Sequence, residues 1–336
     1  MNKKHLQLKL TRRNTQIALG IFWLIAGILQ LQPDMFTKKF IDLNILSNSL
    51  GQPAFIYDPM NFFIHIFLLS PIVFNIIIIL IQLTIAFLIF NKKRVKIGLY
   101  LSIFWGLFVW YVGEGLGGLF LKGGNATLLM GAPGAAFFYV VLALSVMPRK
   151  KDKLYPDYWL IFVWAIVWVG LGISQLLPTN SSLLNMQSMI IQNAHNAPRW
   201  ISTIDTHVVK FLSYIGNNHK IYKTDSNIQM GGMGTNYISG ARGYWLVVIL
   251  AMLEIVIGLM VFIGRIQRRI LLIVGIILSL CFWLIGQSLG QIYSGYASDL
   301  NTAPLLILFA FILLGMSHEM DDYLTKIRKR LEEFIA

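Results

Sequence analysis

Eight runs of about twenty mainly apolar residues, divided by polar connections, constrain this chain more than any other feature. A helix of that length covers roughly 30 Å of hydrocarbon. The runs lie near 15–32, 71–90, 96–114, 128–147, 157–177, 244–264, 270–290 and 303–317, and the apolar stretch Phe62–Ser70 leads into the second across Pro71. The chain has 336 residues, 56% hydrophobic and 13% charged, with a mean hydropathy of +0.66. Water-soluble domains do not reach that balance. The expected fold is an all-α, polytopic membrane bundle of about eight transmembrane helices.

The charge distribution gives the orientation. Of 28 Lys and Arg residues, 20 fall in the N-terminus, the even-numbered loops and the C-terminus, and 8 in the odd-numbered loops. Five of those 8 are spread over the long loop 178–243. Cytoplasmic loops retain basic residues, so both termini are expected in the cytoplasm and the protein in the plasma membrane. The basic N-terminus resembles the start of a signal peptide, but no small-residue cleavage pattern follows, so the first run is read as a span. A net charge of +13 in short loops at membrane edges argues for a lipid bilayer as partner and against nucleic acid.

Internal repetition is visible in the residues. Trp23, Gly27, Gln30 and Pro33 recur as Trp168, Gly172, Gln175 and Pro178, an offset of 145 that persists through Asn48/Asn193 and Pro53/Pro198. Further on the offset is 173: Trp110/Trp283, Gly113/Gly286, Glu114/Gln287, Leu116/Leu289 and Gly117/Gly290. The chain therefore divides into a first four-helix repeat (1–150), a second (151–318) with an outer-loop insertion near 217–240, and an amphipathic cytoplasmic tail (319–336). Four spans per half make the repeats parallel, related by an axis along the membrane normal. After the first span of each half an amphipathic segment is expected at the interface, with Phe36, Phe40, Leu43 and Leu50 on one face in the first copy and Leu183, Met186, Ile190 and Ala194 in the second.

The polar residues of the spans are the candidate ligand or proton sites. Gln30, Gln175, Glu114 and Gln287 all fall toward the outer leaflet and are expected to line one outward-facing vestibule, with Glu254 below them near the bilayer midplane. A carboxyl at Glu254 either holds two helices together as the neutral acid or serves as proton relay or ligand contact. Gly113-x3-Gly117 and Gly286-x3-Gly290 read as small-residue pairs for close helix packing. His65 and His207, one per half, are candidate haem or metal ligands, and Met230 with Met233 forms a thioether pair suited to Cu(I). The copper reading is expected to fail on metal analysis.

The single cysteine, Cys281, excludes disulfide frameworks, zinc fingers and iron–sulfur ligation, so redox chemistry here requires a borrowed cofactor, a quinone or a haem. No Walker loop, Rossmann fingerprint, GxSxG or HExxH occurs, and whether the chain is an enzyme stays open.

The four-span unit with its amphipathic excursion, and the run Leu253-Glu254-x3-Gly258-x5-Gly264-Arg265, resemble the DoxX-like membrane proteins, here as two units in tandem. Gln82 sits about where Glu254 does, one residue out of register. The resemblance implies a four-helix unit with a redox-associated role, as membrane subunit or quinone-side partner of an oxidoreductase partner protein, and carries over Glu254 alone. The other classes are a small-solute or metal carrier and a structural or assembly factor.

Overall fold

The computed structural model describes residues 11–121, 126–148, 158–194, 197–216 and 241–316, with the pairs 324–325 and 332–333. Every regular element among them is helical. The longer helices of the first half are α1 (Arg12–Leu29), α2 (Ala54–Leu69), α3 (Pro71–Phe90), α4 (Val95–Phe108) and α5 (Ala135–Ser145). Those of the second are α6 (Trp159–Gln175), α7 (Leu183–Ala194), α8 (Arg199–Gly216), α9 (Ala241–Leu259), α10 (Arg265–Leu284) and α11 (Thr302–Met316). The insertion near 217–240 and most of the C-terminal tail lie outside the described residues.

Four helical stretches, Pro71–Phe90, Val95–Gly113, Arg242–Phe262 and Arg265–Leu284, are long and apolar enough to cross a membrane. Ala54–Leu69, Ala135–Ser145, Trp159–Gln175 and Thr302–Met316 are apolar but shorter. The fourth apolar run, expected near 128–147, becomes helical only at Ala135. Thr127 instead caps a 3₁₀ turn, Leu128–Met130, and Gly131 and Gly134 take φ of +95° and +104° around Pro133, which has no N–H to donate.

The glycine pairs correct a second expectation. They do not line helix–helix seams. A π turn, Val109–Gly113, ends α4, and the chain then passes through left-handed backbone at Leu116 and Gly117; Leu289 and Gly290 repeat this after α10. Small residues are required there because the turn presses against the start of the next helix. A Cβ on Gly117 would lie 1.9 Å from the Pro133 carbonyl oxygen.

Close helix packing falls to other glycines. Gly27 of α1 faces Leu83 of α3, and Gly172 of α6 faces Ile255 of α9. Those contacts set the offset between the second spans at 172 (255−83), so Gln82 and Glu254 (254−82) occupy equivalent places, in register.

The segment after α1 is less regular than its periodicity suggests. It runs through Lys38–Phe40, a π turn over Ile41–Leu46, and Ser47–Ser49. The wider π turn rotates the face, so Met35, Phe40, Ile41 and Ile45 are buried while Leu43 and Leu50 are exposed. In the second half α7 is an uninterrupted α-helix, and Leu183, Met186, Ile190 and Ala194 share its buried face.

Aromatic rings fill the junction between halves. The Phe138 and Phe309 centroids lie 6.0 Å apart, and Phe309 meets Trp164 edge-on at 5.7 Å. The Thr302 hydroxyl donates to the Gly131 carbonyl across the same junction.

One buried charge has no structural account from packing. Asp205 in α8 is buried, both its carboxyl oxygens lack a partner among the described residues, and burial pushes its pKa up to about 7. Its position is equivalent to Met60 at the 145 offset, which is also buried. The folded protein holds this proton between roughly pH 4 and 7 and the unfolded chain does not, so stability falls as pH rises through that window. Asp205→Met should therefore raise stability by roughly 3 kcal/mol at pH 8 and far less at pH 4, read as the pH dependence of the melting temperature. An equal effect at both pH values would contradict it.

Candidate functional site

A cavity of about 110 Å³ lies among α1, α3, α4 and α5 and the segment after α1. It is built by the repeated Trp-x2-Gly-[Glu/Gln]-x-Leu-Gly element. As α4 ends, Trp110 Nε1 donates to the Pro133 carbonyl at 2.7 Å and pins the loop that leads into α5. The turn that follows aims the Glu114 carboxylate at the start of α5, where it accepts the Ala136 N–H at 3.1 and 3.3 Å. Gly134 is obligatory here, since a Cβ would fall 2.1 Å from Glu114 Oε2. The second half repeats the device: Trp283 Nε1 donates to the Leu300 carbonyl at 2.8 Å, and Gln287 Oε1 accepts the Ala303 N–H at 3.1 Å. Asn48 and Asn193 correspond as well, donating to the carbonyls of Gly113 and Gly286 at 3.0 and 2.6 Å.

The walls are aromatic. Trp23 donates to Ser102 Oγ at 2.8 Å and lies against Tyr139, with centroids 4.1 Å apart. Trp105 stacks on Phe108 at 5.2 Å, and its Nε1 is buried without a partner. Gln30 and Gln82, 2% and 6% exposed, each leave Oε1 without a partner among the described residues.

The remaining carboxyl comes from the other half. Asp299, in the loop before α11, lines the cavity with Glu114 and accepts from the Asn301 N–H and from Ser298 Oγ at 3.2 Å. Burial pushes its carboxyl above the usual carboxylate range. Asn44 Nδ2 donates to the Tyr296 carbonyl at 3.0 Å and ties this loop to the first half. Among the described residues the lining contains no Lys, Arg or His.

The expected single vestibule is not what the residues form. Gln30 and Glu114 share the cavity above, joined by Gln82. Gln175 lines a separate space of about 10 Å³ with Met130, Met186 and Met189, and donates to the Asn180 carbonyl at 2.7 Å. Gln287 is buried with both ends of its amide engaged, its Nε2 donating to the Leu128 carbonyl at 3.0 Å. Glu254 is fully buried, its two oxygens are without a partner among the described residues, and it lines neither space. The residues equivalent to Gln30, Phe40 and Asn44 at the 145 offset are Gln175, Asn185 and Met189, and they line that smaller space.

His65 and His207 are exposed, and each ring Nδ1 is hydrogen-bonded to the carbonyl four residues earlier, Asn61 at 2.8 Å and Thr203 at 2.7 Å. No group of three or more His, Cys, Asp or Glu suited to a metal occurs among the described residues. Met230 and Met233 lie outside them.

Sequence reasoning missed Asp299, Trp105 and Tyr139. The two aromatics look like ordinary span residues, and Asp299 has Ala132 as its counterpart at the 167 offset that relates Pro133 to Leu300. Its one signal was being an acid just before a span, as Glu114 is one just after. Comparison with family models, with curated proteins and with solved structures finds no match to this chain.

Proposed function

We propose that this chain is a plasma-membrane protein of eight spans, arranged as two parallel four-helix repeats with both termini cytoplasmic, that binds a small polar solute from the outer side in the cavity of its first half. The basic-loop asymmetry supports the orientation, and it places the ends of α1 and α4, hence the cavity, toward the outer leaflet. One observation carries the solute reading: two carboxyl groups, Glu114 and Asp299, and two glutamines with unpartnered amide oxygens, Gln30 Oε1 and Gln82 Oε1, line one cavity. Buried acceptors left open are costly, and a ligand with N–H or O–H donors relieves that cost. A quinone offers acceptors only, so of the classes left by the sequence the solute carrier or receptor fits better than a quinone-side redox subunit.

The test is thermal-shift and native mass-spectrometric screening of protein purified in detergent, using a panel of small amines, amides and polyols. At least one compound should raise the melting temperature of the wild type and have a smaller effect on Gln82→Leu. A panel without effect, together with stoichiometric quinone in the lipid extract, would return the chain to the redox class. Uptake into proteoliposomes then separates carrier from receptor.

A further inference from the structure

We infer that the solute is a small organic ammonium ion, recognised by the Glu114 and Asp299 carboxylates within an aromatic box. The inference rests on the solute-binding reading above and adds the charge of the ligand to it.

Three independent features converge. First, among the described residues the cavity carries two carboxyl groups and no basic side chain, so a cation is the charge it can accept. Second, the rings of Trp23, Trp105, Phe67, Phe108 and Tyr139 line it, and aromatic faces attract alkylammonium groups while excluding the water that would otherwise solvate them. Third, Gln30 and Gln82 are nine-tenths or more buried and leave acceptor oxygens unpartnered at the same space.

The repeat supplies a control for the bland explanation of Glu114, which is that it caps α5. Gln287 makes the same backbone contact at α11 with a neutral amide. Capping therefore does not require the charge at Glu114, and the charge stands at the cavity of about 110 Å³, whereas the neutral amide of Gln287 does not line the space of about 10 Å³ at Gln175. Asp299 is likewise present in the loop over the first half and replaced by Ala132 in its counterpart. Because Asp299 belongs to the second repeat, the site is complete only when both halves are assembled.

Size narrows the class. A cavity of 150 Å³ holds benzene, so about 110 Å³ suits about four or five non-hydrogen atoms, the scale of methylated amines and ethanolamine.

The probes are tert-butylammonium and its neutral counterpart in size, tert-butanol, titrated against full-length protein in detergent by calorimetry. Tert-butylammonium should bind at least tenfold tighter than tert-butanol. Glu114→Gln keeps the Ala136 contact, as Gln287 does at Ala303, and Asp299→Asn keeps an acceptor for the Asn301 N–H, so both variants should fold. Each should weaken tert-butylammonium about tenfold. The probe keeps its charge at both pH values, so tighter binding at pH 8 than at pH 5 would report the carboxyls. The groups facing them are Tyr139 from α5 and, at the Tyr296 rim, the exposed Lys39–Asp34 ion pair. Equal affinity in wild type and both carboxamide variants would overturn the ammonium assignment. So would binding of tert-butanol as tight as that of tert-butylammonium, and the solute-binding reading would then stand. Failure of both probes and of the wider panel would remove both.

Discussion

Gly117→Ala is expected to destabilise the protein by about 3 kcal/mol or more, while Gly113→Ala, four residues earlier, costs under about 1 kcal/mol. The contrast arises because a Cβ at Gly117 lands 1.9 Å from the Pro133 oxygen, on backbone with φ of +64°. At Gly113 the nearest atom is Val109 Cγ1 at 3.3 Å, a side chain that can yield. Gly286, equivalent to Gly113, should behave like Gly117, since its Cβ would meet the Leu129 carbonyl oxygen at 2.2 Å. Melting temperatures of the three alanine variants in detergent decide the matter. Similar costs at Gly113 and Gly286 would mean that the second-half turn does not press on Leu128–Met130 as described.

The same turn shows what was legible in the residues and what was not. That Trp110, Gly113, Glu114, Leu116 and Gly117 form one unit, used twice, could be read from the offset of 173 alone. Its geometry could not, because i, i+4 glycines satisfy both a helix seam and a left-handed turn, and only the approach of Pro133 and Leu300 distinguishes them. Apolar length located helices well even where single glycines interrupt the run, as in α1, α4, α6 and α9. It overran at 128–134, where the local chemistry of Thr127, Gly131 and Pro133 outweighs hydropathy. The candidate site was half legible. Gln30 and Glu114 were found as polar exceptions in apolar runs, but Asp299 reaches the cavity from a loop far along the chain, a relation that no one-dimensional spacing encodes.

Arg268→Met should be the costliest single charge removal in the described bundle, at about 3 kcal/mol. Arg268 is 1% exposed, and its Nε and Nη2 donate to the carbonyls of Val261 and Ile263 at 2.7 and 2.8 Å. Those carbonyls close the helical stretch that begins with α9, where the helix leaves acceptors without intrahelical donors and its dipole favours a cation. The first half meets the same need from another element: Arg13 of α1 donates Nη1 to the Ile89 carbonyl at 2.8 Å and Nη2 to that of Phe90. Two different helices thus deliver a guanidinium to equivalent helix ends, which points to the chemistry of the end rather than to shared ancestry of the residue. Arg13 is only part-buried, so water can replace it in Arg13→Met, and the loss there should be about 1 kcal/mol. Arg268→Lys should recover only part of the stability, because one ammonium cannot reach two diverging carbonyls as a planar fork does. Thermal denaturation of the three variants tests this order. If Arg13→Met costs as much as Arg268→Met, water does not substitute at the first helix end, and burial is not what separates the two arginines.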